Sequence, residues 1–142
     1  MNIKTPQLIA ISPQQAYQQL QQDPKACFID IRSSMEFLFV GHPIGATHIA
    51  WLDEPDWEIN PNFVAEITAV AKKQDPNHYK DITIIMICRS GIRTQEAGKM
   101  LVKAGFRNVF YINEGFEGDR DEQFHRSSLG GWRYHGLPWE QC

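Results

Sequence analysis

Cysteine is scarce in this chain, and its few copies stand far apart. Cys27, Cys88 and Cys142 are odd in number, widely spaced and never paired as C-x-x-C. A disulfide framework and a cysteine zinc site are thereby excluded. Long apolar runs are missing as well: none approaches the roughly 20 residues that a membrane span needs. The N-terminal stretch MNIKTPQLIAISPQQ holds one lysine and a very short apolar patch, without the extended apolar core of a secretory signal. The expectation is a cytoplasmic chain without membrane association. Positive charge is not in excess either. The 14 Lys and Arg against 17 Asp and Glu leave a net charge of −3, which argues against a nucleic-acid partner held by a global positive field but leaves room for a small local positive site. The five histidines are scattered without the paired helical spacing of a metal site, so no metal and no organic cofactor is expected.

What is present suits one globular domain with one hydrophobic core. The 142 residues are 42% hydrophobic and 22% charged, a balance typical of folded rather than disordered chains. Ser12-Pro13-Gln14-Gln15 reads as a helix start, with Ser12 as cap, Pro13 in the first turn and Gln15 completing a capping box. Asp23-Pro24 ends that helix. Residues 26–31 form a short apolar run of strand formers. Arg32 to Glu36 turns into a short helix or loop, residues 41–45 form a second turn, and residues 46–51 suit another short strand. Asn60-Pro61 opens a second helix with Phe63, Val64, Ile67, Val70 and Ala71 on its apolar face, and Asp75-Pro76-Asn77 closes it. Residues 81–87 are the strongest strand, apolar on both faces as a covered central parallel strand should be. Residues 94–104 form a third helix with Ala97, Met100 and Leu101 on one face and Gly105 in the C-terminal cap. Residues 108–112 are a further strand. The alternation of helix and strand predicts an α/β fold with a central, mostly parallel sheet and helices on both faces. Ligands of such sheets sit beyond the carboxyl ends of the strands, where Cys88 lies.

The segment Cys88-Arg89-Ser90-Gly91-Ile92-Arg93-Thr94 concentrates chemistry. A sulfur nucleophile acts as a thiolate, whereas an ordinary cysteine is mostly protonated near neutral pH. Three features favour an anion here. A helix N-terminus follows, the tight loop can turn its backbone N–H groups inward, and Arg89 and Arg93 carry permanent positive charge. Gly91 permits the close turn. Thiosulfate would set its sulfonate in this cradle and its sulfane sulfur on Cys88, leaving a persulfide for a thiophilic acceptor to remove in a two-step covalent exchange. A lone cysteine at a strand end is more often a small buried hydrophobe. Cys27, mid-strand between Ala26 and Phe28, fits that description and is read as structural. Cys142 is terminal. Cys88 differs because strand, glycine, two arginines and helix start converge on it.

At this point the sequence resembles the rhodanese family. Cys88-Arg89-Ser90-Gly91-Ile92-Arg93 is similar to the family's C-R-x-G-x-[RT] loop. Asp30, Arg32, Glu36 and Phe37 match its D-x-R-x-x-x-E-[FY] segment. Gly41-His42-Pro43-Ile44-Gly45-Ala46 resembles its G-H-I-P-G-A turn with Pro and Ile exchanged. Gly131-Trp132 and Gly136-Leu137-Pro138 resemble its closing G-G…W…G-L-P. The resemblance runs from about Ser12 to Pro138. It implies a three-layer rhodanese-like domain and a sulfurtransferase with Cys88 as persulfide carrier and Arg89, Ser90, Gly91, Ile92 and Arg93 as the substrate cradle. Thr94, Asp30 and Arg32 support the structure around it. The partners implied are a small anionic sulfur donor, such as thiosulfate or a persulfide, and a thiophilic acceptor, either of which a protein can supply.

One stretch departs from the pattern. Residues 114–130 intervene where typical single-domain members run directly into the closing motif. They read as an insertion that forms a lid over the Cys88 pocket, a partner surface, or a solvated charged loop. Two other function classes are weighed against sulfur transfer. Cysteine phosphatases and arsenate reductases of related fold use H-C-x5-R, one residue longer; here Ile87 replaces the histidine and Arg93 comes one position early. A non-catalytic binding or sulfur-carrier module is the other alternative, although the intact cradle favours catalysis. Within sulfurtransferases, two arginines in the loop suit a doubly charged donor. Trp57 and residues 53–56 are candidates for the pocket edge.

Overall fold

A computed structural model describes residues 7–142. The expectation about an N-terminal signal lies partly on residues 1–6, outside the described residues. Ten elements follow one another: β1 (Gln7–Ile11), α1 (Pro13–Gln22), β2 (Cys27–Asp30), β3 (His42–Pro43), β4 (Thr47–His48), α2 (Phe63–Gln74), β5 (Thr83–Ile87), α3 (Arg93–Lys103), β6 (Asn108–Ile112) and β7 (Trp139–Glu140). A π-helical turn spans Glu36–Val40, and a 3-10 turn spans Tyr79–Asp81.

Five strands form one sheet in the order β1-β6-β5-β2-β4, every neighbouring pair parallel. The α/β expectation is met, with β5 central and wholly buried from Ile84 to Ile87. Strand alternation divides the core. Ile84, Met86 and Cys88 pack with Phe63, Ile67 and Ala71 of α2 and Ala97 and Leu101 of α3. Ile85 and Ile87 point to the opposite layer, against Ala16 of α1, Phe116 and Trp132. Parallel pairing puts the carboxyl ends of β2 and β5 side by side, with Asp30 in register with Ile87. Asp30 and Arg32 are thereby brought next to the chain that carries Cys88.

Local signals placed α1 well. Ser12 Oγ accepts from the Gln15 N–H at 3.1 Å, and Gln15 Oε1 accepts from the Ser12 N–H at 2.9 Å, completing the capping box. Elsewhere tertiary context corrects the reading. The run Gln7–Ile11 is a strand, β1, which the sequence alone left unassigned: it has one neighbour, β6, and is only half covered. Helix α2 starts at Phe63 rather than at Pro61. Asn60 is occupied in closing a turn, with its side-chain oxygen accepting from the Asn62 N–H at 2.9 Å and its amide donating to the Ala50 carbonyl at 3.1 Å. Met100 lies on the exposed side of α3, while Thr94 and Gly98 take places on its buried face. Gly98 sits there because a side chain would collide with Leu8 of β1. The strand expected over 46–51 shrinks to β4, and β3 pairs antiparallel with β7, closing the C-terminal end against the 41–45 turn.

Candidate active site

Cys88 follows directly on β5 and is 1% exposed. Its sulfur accepts from the Gly91 N–H at 3.2 Å and lies 3.7 Å from Thr94 Oγ1. The Thr94 hydroxyl also donates to the Gly91 carbonyl at 3.0 Å, and Gln95 Nε2 donates to the same oxygen at 3.2 Å. Three residues of the loop and the first turn of α3 are thus tied around one sulfur. Gly91 makes the turn with φ +99°, and a Cβ there would collide with the Asn113 carbonyl. A side chain is barred both by conformation and by space. Ile92, at the cap position of α3, makes no side-chain capping bond and turns its side chain to solvent.

The loop is braced from behind by the chain that leaves β6. The Phe116 N–H donates to the Cys88 carbonyl at 2.8 Å, and the Glu117 N–H donates to the Arg89 carbonyl at 2.9 Å. Gly115 packs so closely on Arg89 and Ser90 that a Cβ would strike their backbone. Phe116 is fully buried. The start of the 114–130 stretch is therefore an integral wall of the loop, while most of residues 119–129 face solvent.

Arg93 and Arg89 differ in their commitments. Arg93 donates to both oxygens of Glu36, at 2.8 and 2.9 Å. Burial alone would raise the Glu36 carboxyl, but the Arg93 bonds and charge and the Ser33 backbone bond outweigh it and lower it to about 2. Burial likewise disfavours the Arg93 charge, and the Glu36 partner, with the nearby Cys88 and Asp30, outweighs it in the other direction. Arg89 is exposed, with no ion pair or hydrogen bond from its side chain among the described residues. Ser90 is half-buried beside it.

Asp30 and Arg32 form a fully buried pair. Arg32 Nη2 donates to Asp30 Oδ2 at 2.7 Å and to the Gly41 carbonyl at 2.5 Å, and Nε donates to Asp30 Oδ1 at 3.0 Å. The guanidinium lies 4.5 Å from the centre of the Phe116 ring. These two residues brace the 41–45 turn and the Phe116 wall, and they lie outside the cavity lining.

A cavity of about 660 Å³ adjoins the loop, lined by Ser33, Met35, Glu36, Phe39, Val40, Leu52, Glu54, Trp57, Arg89, Arg93, Glu117 and Arg126. Trp57 and Glu54 do edge it. Arg126, Phe39 and Met35 carried no signal in the sequence. Arg126 lies far along the chain from Cys88 in a stretch without periodicity, and Met35 and Phe39 flank a motif whose recognisable positions are Glu36 and Phe37. Arg126 donates to the Gly118 carbonyl at 2.7 Å. Its charge is disfavoured first by burial and then by the neighbouring Arg89. The other cysteines are placed differently. Cys27 is buried in β2, and burial, aided by the Asp23 charge, pushes its thiol up to about 11. Cys142 is exposed.

A thiol that accepts from a loop amide at the carboxyl end of a central parallel strand, at the N-terminus of the following helix, defines a cysteine-loop α/β protein. The chain belongs to the rhodanese-like domain family, whose profile matches residues 12–122. Its relatives include sulfurtransferases. It is 32% identical over 108 residues to the thiosulfate sulfurtransferase GlpE of Haemophilus influenzae, covering 76% of this chain and 84% of that protein. It is 28% identical over 127 residues to the protein RC0915 of Rickettsia conorii, covering 88% and 91%. Among solved structures, Rv0390 of M. tuberculosis superposes with a TM-score of 0.79 at 31% identity, covering 96% of this chain and 99% of that one. No described helix is long and apolar enough to cross a membrane.

Proposed function

We propose that this chain is a sulfurtransferase that carries sulfane sulfur as a persulfide on Cys88. The observation that carries the reading is the Gly91 N–H aimed at the Cys88 sulfur at 3.2 Å, with the Thr94 hydroxyl at 3.7 Å. The Gly91 N–H is a donor placed before chemistry begins and so stabilises an anion without reorganisation; the Thr94 hydroxyl gives its one hydrogen to the Gly91 carbonyl and lies beside the sulfur. The Cys88 thiolate attacks the outer sulfur of thiosulfate, the S–S bond breaks and sulfite leaves with the electron pair. Cyanide or a thiolate then attacks the outer sulfur of the persulfide and restores the Cys88 thiolate.

Roles follow from the commitments of each side chain. Arg89, whose side chain has no ion pair or hydrogen bond among the described residues, meets the donor's negative charge. Arg93 is held by Glu36, so it fixes the loop and contributes a partly neutralised charge. Ser90, Gly91 and Ile92 offer backbone N–H groups, and Thr94 turns its hydroxyl between Gly91 and the sulfur. Asp30 and Arg32 act by supporting the turn and wall beneath. In this reading residues 1–142 are one rhodanese-like domain with an insertion at about 114–130. The setting is cytoplasmic, where reducing conditions keep Cys88 a free thiol. GlpE, a thiosulfate sulfurtransferase by name, supports thiosulfate as a donor; a low-molecular-weight or protein persulfide is the other class.

The test follows thiocyanate formed from thiosulfate and cyanide, with wild type beside Cys88→Ser. Thiocyanate formed by wild type and lost in the variant supports the reading. Folded, reduced wild type that is inactive with thiosulfate and with organic persulfides would instead favour a docking module.

A further inference from the structure

The cavity wall and the brace under the Cys88 loop are joined by a side chain that has no part in the roles assigned above. The wall is the π-helical turn Glu36–Val40, which supplies Glu36, Phe39 and Val40 to the cavity lining. A helix leaves its last carbonyls without partners of its own, and a single π turn leaves nearly all of them so. Only the Glu36 carbonyl is met by the turn's own closure, from the Gly41 N–H at 3.2 Å. The other four are supplied from outside. Phe37 accepts from His42 Nδ1 at 2.7 Å, Leu38 from the Cys142 N–H at 3.1 Å, Phe39 from Gln141 Nε2 at 2.9 Å and Val40 from Arg133 Nη1 at 3.0 Å.

Arg133 stands apart from the other donors in what else it holds. Its backbone is anchored on the brace: the Arg133 N–H donates to the Phe116 carbonyl at 3.3 Å, and the Trp132 N–H donates to the Gly115 carbonyl at 2.9 Å. Its guanidinium lies 5.3 Å from the centre of the Phe116 ring and 5.2 Å from that of Trp139. Nη2 is 4.0 Å from Glu117 Oε1. Nε and Nη2 both donate to Ser127 Oγ, at 3.2 and 2.9 Å, and the Ser127 N–H donates to the Glu117 carbonyl at 2.6 Å. A rigid fork of donors can serve all of these acceptors at once, whereas an ammonium cannot reproduce it.

These contacts close a ring around the site. Glu36 links the wall to the loop through Arg93. The Phe116 and Glu117 N–H groups link the loop to the brace through the Cys88 and Arg89 carbonyls. Arg133 links the brace back to the wall through Val40. The two loop arginines are therefore each placed by an element that Arg133 ties to the other.

We propose that Arg133 is a positioning residue that sets where Arg89 and Arg93 stand around the Cys88 sulfur. It touches no reacting atom and acts through the turn on one side and the brace on the other. Its effect on turnover rests on the sulfurtransferase reading; its effect on the charge around Cys88 does not.

Two variants of the full chain test this, each checked for folding by circular dichroism. Arg133→Lys keeps the charge and gives up the fork. Ser127→Ala keeps Arg133 and removes the acceptor of two of its bonds. With thiosulfate and cyanide, Arg133→Lys should raise KM for thiosulfate by about tenfold, the scale of a hydrogen bond made by a charged group. Its kcat should stay near that of wild type, because Gly91 and Thr94 beside the sulfur are untouched. Ser127→Ala should shift KM in the same direction by a smaller factor. A readout free of turnover compares alkylation of Cys88 by iodoacetate with that by iodoacetamide. The loop arginines attract the anionic reagent and not the neutral one, so the ratio of the two rates should fall in both variants, by at least about threefold in Arg133→Lys, the scale of a displaced, partly exposed charge. A role in stability alone would raise both alkylation rates together and leave KM unchanged. If Arg133→Lys does not fold, Ser127→Ala decides by the same two readouts. A KM and a ratio equal to those of wild type would overturn the inference, while thiosulfate turnover by wild type still upheld the sulfurtransferase reading. Wild type without turnover, but with a ratio that falls in the variants, would overturn that reading and uphold the positioning role.

Discussion

Arg93 grips both carboxylate oxygens of Glu36, at 2.8 and 2.9 Å, on the wall of the cavity next to Cys88. The pair joins two segments 57 residues apart in sequence, the π-helical turn after β2 and the first turn of α3. It ties the Cys88 loop to the turn after β2 and at the same time partly neutralises one arginine of the cavity wall.

The Glu36 carboxyl is held near 2 in the folded chain against an ordinary value of 4.5. A group lowered in this way contributes stability that is complete above its unfolded value and is lost as pH falls through the folded one. The urea midpoint of wild type should therefore exceed that of Glu36→Gln at neutral pH, by up to about 3 kcal/mol in free energy. The gap should close as pH falls from about 4.5 to about 2. A gap that does not change with pH across that window contradicts this assignment.

Asp30 and Arg32 form the buried pair beneath the site. Asp30→Asn or Arg32→Met alone leaves one charge uncompensated and should cost about 3–5 kcal/mol. The double variant should recover much of that loss, because both desolvation costs disappear together. A double-mutant cycle by denaturant unfolding measures the coupling. Additive losses would mean that the two residues act separately.

Gly91→Ala tests the loop turn. The residue holds φ +99° with the Asn113 carbonyl in the way of a Cβ, so a cost of at least about 1–3 kcal/mol is expected from backbone strain. Sulfur transfer should fall further than stability does, because the N–H that meets Cys88 moves with the turn. An active, fully stable variant contradicts the geometry.

Thr94 touches both the Cys88 sulfur and the Gly91 carbonyl. Thr94→Val should slow alkylation of Cys88 by iodoacetamide and loading from thiosulfate together by about tenfold, the scale of one lost hydrogen bond, and Thr94→Ser should restore both. Cys27, buried and held up to about 11, should resist the same reagent at pH 8. Peptide mapping of the alkylated protein separates the two cysteines.

Much of this was legible in the sequence because it rested on local chemistry. The Ser12 capping box, the apolar run of β5, Gly105 after α3 and the Cys88 to Thr94 loop each carry their own signal within a few residues. Parallel pairing then brings Asp30 beside Ile87 without further information. What was not legible depends on distant partners. Gln7–Ile11 becomes a strand only because β6 offers an edge. Asn60 leaves its capping role because Ala50 and Asn62 claim its side chain. Glu36 was visible as a motif position, but its capture of Arg93 was not. Arg126 reaches the cavity only because Gly115 and Phe116 dock on the loop and fold the following chain back over it. Residues 114–130 accordingly divide into a buried brace and an exposed remainder, a division that no composition count could reveal.

The central claim is a persulfide on Cys88, and intact-mass measurement after brief exposure of the reduced protein to thiosulfate tests it most directly. The account predicts that wild type gains the mass of one sulfur atom, that the gain maps to Cys88 and disappears on addition of cyanide, and that Cys88→Ser gains nothing. An equal gain in Cys88→Ser would contradict it. So would no gain in wild type when thiosulfate and an organic thiosulfonate have both been offered.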